Sequence, residues 1–327
     1  MRPYGLAALG GTVLALSAAR FIDAMGNSMM IIILPLYVAE LHAEFLSLPT
    51  PALVGILIAL FGVVSALLQP VMGSIADRLG RHKMFVQIGL FLMGLGILAF
   101  ILASRFTDLV MIRLLQGFGF SMTLPTSMAL MTMATVNKTR GGSMGIYSTF
   151  RLIGFSIGPL LGGYLHVHHG FDAAFYVATA LVFGGIIMVH FWVREGSKRK
   201  SSSPAARSLL KLFDTSTLTP AMLGLTAATF VMALAFALIS PLENEFNARL
   251  DQTALGFGIA FSSLMVSRLI LQIPLGRLSD RIGRKPLVIA GLLLMGPGTA
   301  LLGSVTSTLQ LVGLRILQGA ASAGVAA

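Results

Sequence analysis

Polar residues interrupt this chain only at long intervals. Between them lie apolar runs near residues 13 to 39, 51 to 72, 84 to 103, 107 to 133, 143 to 164, 172 to 193, 220 to 242, 253 to 275, 287 to 305 and 309 to 327. As helices, each is long enough to cross roughly 30 Å of hydrocarbon with some tilt. Barrel strands would alternate apolar and polar positions, and these runs do not, so the pattern predicts an all-α membrane protein. The tenth run is cut off at Gly324-Val-Ala-Ala327, which reads as nine complete spans and a fragmentary tenth.

Composition supports that reading. Of 327 residues, 56% are apolar and only 11% charged, a balance a water-soluble fold could not solvate. The stretch from Met1-Arg2 through Ser17-Ala18-Ala19 imitates a cleavable signal peptide, but apolar sequence resumes at Phe21, so the first span is expected to stay attached. With no cysteine there is no disulfide, no thiolate nucleophile and no Cys-based zinc site.

The net charge of +11 changes the picture through its distribution. With the amino terminus in the cytoplasm, one side carries Arg2, Arg78, Arg81, Lys83, Lys138, Arg140, Arg194, Lys198, Arg199, Lys200, Arg207, Lys211, Arg277, Arg281, Arg284 and Lys285. The other side has Arg105 and Arg249 alone, and five arginines (Arg20, Arg113, Arg151, Arg268, Arg315) fall within spans. This is a positive-inside asymmetry and not a nucleic-acid-reading face. It places the chain as a multi-pass protein of the inner, cytoplasmic membrane.

The sequence also repeats. Gly73-Ser-Ile-Ala-Asp77-Arg78-Leu-Gly80-Arg81 returns as Gly276-Arg-Leu-Ser-Asp280-Arg281-Ile-Gly283-Arg284, and Arg113-Leu-Leu-Gln116-Gly117 returns as Arg315-Ile-Leu-Gln318-Gly319. The first pair follows the second span of each half and the other lies in the fourth. Six spans separate equivalent points, so the halves run in the same direction, with a pseudo-twofold axis along the membrane normal and a cavity between them. The predicted organisation is an amino-terminal bundle over 1–193, a basic, proline-bearing linker over 194–219 and an incomplete carboxy-terminal bundle over 220–327.

These residues resemble the major facilitator superfamily. The first repeated stretch is similar to its motif A, with Ile75 in place of Leu and His82 ahead of Lys83; Arg113 to Gly117 resembles motif B. Gly154-Phe-Ser-Ile-Gly158-Pro159-Leu-Leu-Gly162-Gly163 resembles motif C, which in that superfamily marks antiporters, drug:proton exporters above all. The resemblance implies two parallel six-span bundles, of which this chain holds about ten spans of twelve. It also implies a secondary transporter working by alternating access, around a cavity lined by spans 1, 4, 7 and 10. In that superfamily motif A of the first half docks on an eleventh span, so Asp77 and its neighbours are expected to lack that partner here.

The motifs have physical readings of their own. In the loop after span 2, Gly73 and Gly80 permit close approach and turning, while Asp77 can meet a helix N-terminus or pair with Arg78 or Arg81. With its copy (Gly276, Asp280, Arg281, Gly283, Arg284) it is either a conformational latch or a positive-inside anchor. Gly154, Gly158 and Gly162 make a smooth face for helix packing, and Pro159 loosens the same turn. Arg20, Asp23 and Asn27 share one face of span 1, where an ionised Asp costs on the order of 3 kcal/mol unless paired, hydrated or protonated. That cluster is either a permanent ion pair or a proton-coupling site. Arg113, with Gln116 one turn further in, either snorkels or serves proton or substrate handling; Arg151 is a weaker candidate for the same pathway.

Other chemistry is not supported. Gly141-Gly-Ser143-Met-Gly145 matches a nucleophile elbow but follows no strand, and neither a phosphate-binding loop nor a zinc helix is present. His166, His168 and His169 fall in the predicted loop after span 5. The chain is thus expected to be no enzyme, to need no cofactor or metal, and to work as a monomer in lipid with a small-molecule substrate and protons as partners. Five span arginines against one deep Asp favour neutral or anionic substrates. The alternatives are a proton-coupled metabolite importer and a non-transporting sensor or scaffold.

Overall fold

The structure, a computed structural model, describes residues 6–41, 48–135, 140–193 and 219–326, and among these there are helices but no strand. The helices are α1 (Leu6–Glu40), α2 (Thr50–Leu79), α3 (His82–Ala99), α4 (Phe106–Met133), α5 (Arg140–Trp192), α6 (Pro220–Ala237), α7 (Glu243–Leu250), α8 (Ala254–Ile282), α9 (Arg284–Leu301) and α10 (Thr308–Ala326). Every apolar run of the sequence falls on a helix, because hydrocarbon leaves the backbone no partner outside its own segment. The basic linker lies almost wholly outside the described residues.

Two expectations are corrected. The motif A stretches are not loops: α2 runs on to Leu79 and α8 to Ile282, so Gly73 to Arg78 and Gly276 to Arg281 are helical. Only Gly80 (φ 63°) and Gly283 (φ 90°) break the chain, in a left-handed backbone region that a Cβ disfavours. Fifth and sixth spans are two helices within α5, as expected, but Gly170 alone (φ 80°, ψ −175°) parts them, with no loop between. The three histidines consequently sit in the last helical turn before that break and not in a loop.

The chain forms two compact units, Met1–Asn27 with Ile56–Gly154 and Phe175–Asp214, and Ser28–Gly55 with Phe155–Ala174 and Thr215–Ala327. Within the first, α3 packs on α4; within the second, α10 packs on α8 and α9. The two packings share one geometry. Shifting by 202 residues takes α3 onto α9, the 3-10 turn Phe100–Leu102 onto Leu302–Ser304, and the start of α4 onto that of α10. The caps correspond as well: Ser104 N donates to Asp108 Oδ2 (3.0 Å), and Thr306 N to Gln310 Oε1 (2.9 Å).

Close approach repeats with the caps. A Cβ on Gly89 would lie 2.5 Å from Gly119 O, and one on Gly291 would lie 2.6 Å from Ala321 O, again 202 residues on. Such contact lets helices gain dispersion energy where lipid offers no hydrophobic drive for them to associate. The duplication therefore resides in backbone geometry as well as in motif letters.

Candidate functional site

On α1, Arg20, Asp23 and Asn27 come together inside the first unit. Arg20 Nη1 donates to Asp23 Oδ2, while Asn27 Nδ2 donates to Asp23 Oδ1 (2.6 Å) and to the Asp23 carbonyl (3.0 Å). Both carboxylate oxygens are thus engaged, at 1% exposure for Asp23 and 5% for Arg20. The i, i+3, i+7 spacing that aligned these residues in sequence builds the cluster locally, so its assembly needs no long-range contact.

Beside the pair lies a cleft lined by Leu16, Ala19, Arg20, Asp23, Val86, Leu90, Thr123, Ser127 and Val189. The space open to the centre of a water is about 10 Å³, room for one molecule and far too little for a drug-sized substrate.

Arg113 does not snorkel. It is 8% exposed, and its Nη1 donates to Gln116 Oε1 (2.9 Å). Its Cζ lies 5.6 Å from the Phe100 ring centre and 6.0 Å from that of Phe61. Phe61 packs on Phe120 at 5.5 Å, and Phe120 faces Arg20 at 5.8 Å. An aromatic bridge thus links the two buried guanidiniums, each cation–π contact contributing roughly 0.5–2 kcal/mol. Nothing local in the sequence marks Phe61, Phe100 or Phe120, since this is a tertiary arrangement of three helices and a turn.

The repeat of this site lies in the second unit. Arg315, 1% exposed, donates from Nη1 to Gln318 Oε1 (3.1 Å), and Gln318 Nε2 donates to Thr299 Oγ1 (2.9 Å). Room for both glutamines comes from a repeated glycine: a Cβ would lie 2.6 Å from Gln116 Cγ at Gly96 and 3.6 Å from Gln318 Cγ at Gly298. Arg315 and Gln318 were legible through the duplication, yet they were not among the residues singled out for a role.

The remaining candidates are dispersed. Asp77 Oδ1 is 2.8 Å from His82 Nε2, and Gly73 packs against Pro125, whereas Asp280, Arg281, Gly283 and Arg284 are exposed. Arg151 is half-buried in α5. Along motif C, a Cβ on Gly154 would lie 2.4 Å from Phe21 O, and one on Gly162 would lie 3.2 Å from Met29 O, so this face of α5 seats α1. In the second unit, the Pro159 carbonyl would be 2.7 Å from a Cβ on Gly258, which brings α8 onto the same helix; Gly158 is buried there. One acid was missed altogether. Glu243, read as lying just past span 7, is fully buried, and a hydropathy boundary drawn at Leu242 conceals it.

The sequence matches the family model described as the Major Facilitator Superfamily over residues 16–236 and again over 221–327. The multidrug resistance protein MdtG of Yersinia enterocolitica is 29% identical over 92% of this chain and 72% of its own length. The MdtG protein of Salmonella arizonae is 27% identical over 92% and 74%. Among solved structures, a bacterial homologue of the human lysosomal transporter Spinster, in an inward-facing and occupied conformation, superposes with a TM-score of 0.72 at 15% identity, covering 99% of this chain and 73% of that one. A mutant of the peptide transporter POT in complex with alafosfalin superposes with a TM-score of 0.76 at 15% identity, covering 95% and 79%. With an all-helical multi-pass architecture, duplicated helix packing and family matches that together run from residue 16 to residue 327, this chain belongs to the major facilitator superfamily of secondary transporters.

Proposed function

We propose that this chain exports small lipophilic molecules across the inner, cytoplasmic membrane in exchange for protons. It works as a monomer with its amino terminus in the cytoplasm, and alternating access arises from movement of a bundle over 1–193 against one over 220–327, joined by the linker 194–219. The MdtG relatives carry multidrug resistance in their names, and motif C points the same way. The observation that carries the reading is the Arg20–Asp23–Asn27 cluster beside a cleft for one water.

That geometry supplies a proton-exchange step. Asp23 gives both oxygens to donors, so a proton arriving through the cleft competes with Arg20 for Oδ2. Neutral Asp23 holds Arg20 less tightly, leaving its guanidinium to Phe120 and to any substrate that comes within reach. Arg113, held by Gln116 across the Phe61 and Phe120 rings, keeps a second positive charge nearby and favours release of the proton. Arg151 belongs to the same pathway. Asp77 with His82, and the exposed second motif A copy, serve as the gate between states.

The test uses everted vesicles that hold a pH gradient and a lumenal pH dye. Substrate supplied outside should alkalinise the lumen in an exchange that Asp23→Asn abolishes. Acidification would instead mean symport and an importer. No response to any lipophilic cation, neutral compound or anion would refute transport of this class.

A further inference from the structure

Glu243 opens α7 directly after the 3-10 turn Ser240–Leu242. It is 0% exposed, and neither carboxylate oxygen makes a well-formed hydrogen bond among the described residues. The amide of Asn247, one turn on, is the polar side chain that acts on it, and the Asn247 Oδ1 is occupied by Gln252 Nε2 at 3.1 Å. Arg249 on the same helix points away and donates to the carbonyls of Gly303 (3.0 Å) and Leu302 (3.2 Å).

Among the described residues, no counter-ion comes from the elements packed around it. On α1 the charged residue at this end is Glu40, which is exposed. On α7 itself Glu245 is exposed, as is Asp251 just beyond it. Helix α8 meets α7 through Phe257 against Phe246, and its first charge, Arg268, lies fourteen residues in, about 21 Å along the axis. On α5 the titratable groups at this end are Tyr164, His166, His168, His169 and Asp172, of which His166 faces Phe171 and feels Glu40. A carboxylate left ionised in such surroundings carries a penalty of several kcal/mol.

Two bonds flank this acid and tie it to α1. Pro35 lies inside α1 and has no N–H, so the Ile31 carbonyl lacks its helical donor. Ser240 Oγ supplies one, donating to Ile31 O at 3.1 Å, and Asn244 Nδ2 donates to Pro35 O at 2.7 Å. One of the two contacts flanking Glu243 is thus built on a carbonyl that proline left free. Anything that parts α1 from Ser240 and Asn244 also opens a way for water to the carboxyl.

We propose that Glu243 is a proton-binding site that latches α1 to the start of α7: protonated while the contact is closed, ionised when it opens. This deepens the proton-exchange reading above and rests on it for its place in a transport cycle. The proton leaves to water entering between α1 and α7, and no other bond is made or broken. Opening of this contact and deprotonation of Glu243 are therefore one coupled event.

The absence of native cysteines permits a direct test. A single cysteine introduced by Leu242→Cys is labelled with a maleimide in proteoliposomes without substrate from pH 5.5 to 9. Each rate is divided by that of the same cysteine in unfolded protein at the same pH, which removes thiol ionisation. The normalised rate should rise at least tenfold across this range, and Glu243→Gln should hold it at its low-pH value throughout. Ser240→Ala keeps the carboxyl but removes one tie, and should raise the rate about fivefold at low pH. A pH dependence unchanged by Glu243→Gln, a flat profile in the parent, or no acceleration in Ser240→Ala would each overturn the latch. Vesicle exchange without a Glu243-dependent profile would sink this inference alone; a Glu243-dependent profile without vesicle exchange would sink the transport reading and leave the latch standing.

Discussion

Replacing Asp23 by asparagine removes the one anion that Arg20 meets while leaving side-chain size nearly unchanged. The guanidinium remains 5% exposed, with the Phe120 ring at 5.8 Å and Tyr147 nearby. That cation–π contact contributes roughly 0.5–2 kcal/mol, against about 3–5 kcal/mol for stranding one member of a buried ion pair. The deficit dominates, so Asp23→Asn should be destabilised by about 2–4 kcal/mol. The companion Arg20→Met with Asp23→Leu removes both charges, substitutes apolar groups of similar volume and should recover most of that loss. Unfolding of purified protein in detergent, followed by the fluorescence of the single tryptophan, Trp192, gives the stabilities of both variants. Vesicle exchange, measured on the same preparations, then separates structure from coupling: the double variant should be stable and inactive. Stability of Asp23→Asn within about 1 kcal/mol of the parent would refute the buried pair, and full exchange by the double variant would refute the coupling role.

Three further outcomes follow from geometry. Gly154→Ala would push a Cβ to 2.4 Å from the Phe21 carbonyl, a backbone atom unable to yield cheaply, and should cost about 1–3 kcal/mol in the same unfolding assay; Gly224→Ala, with nothing within 4 Å, is the control. Gly80→Ala and Gly283→Ala impose a Cβ on positive-φ turns and should each lose about 1–2 kcal/mol, a loss that Gly80→Asn should partly avoid. Gln116→Leu and Gln318→Leu each take away the acceptor of a buried arginine and should lower stability by about 1–3 kcal/mol, the second also stranding Thr299 as an acceptor.

Much of the fold was legible because lipid makes the sequence obey it. Every crossing helix needs a long apolar run, and the ten runs carry through to helices. Sequence and structure part where a polar stretch resembles a loop. Asp77, Arg78, Asp280 and Arg281 look like turn residues, yet a helix leaving hydrocarbon can stay helical while exposing charge, and only a left-handed glycine stops it. The histidines ahead of Gly170 misled in the same way. In the site, the Arg20, Asp23 and Asn27 alignment follows from helical spacing alone. The Phe61 and Phe120 bridge does not, because it depends on how α1, α2 and α4 meet. Glu243 stayed hidden because hydropathy cannot report that a polar turn after a span is itself covered.

The duplication preserves frame and packing while distributing acid unevenly, and that asymmetry bears on mechanism. Offsets of 202 to 203 residues carry Asp23 onto Leu225 and Thr226, so the second half has no acid at the equivalent level of its first span. The same shift carries Glu40, exposed at the end of α1, onto Glu243, buried at the start of α7. Among the described residues each half therefore buries one carboxyl, Asp23 within the first span and Glu243 just past the seventh. Arg113 and Arg315 keep one hydrogen-bonding pattern in both halves, which is what a framework inherited from a common unit requires. Acids that have departed from that symmetry make the halves respond differently to a proton. On the proposals above, Asp23 would respond by changing its hold on Arg20, and Glu243 by changing whether α1 stays seated on α7. Two symmetric acids would be protonated together and would impose no order on the motion, whereas two at different levels allow one to load while the other discharges.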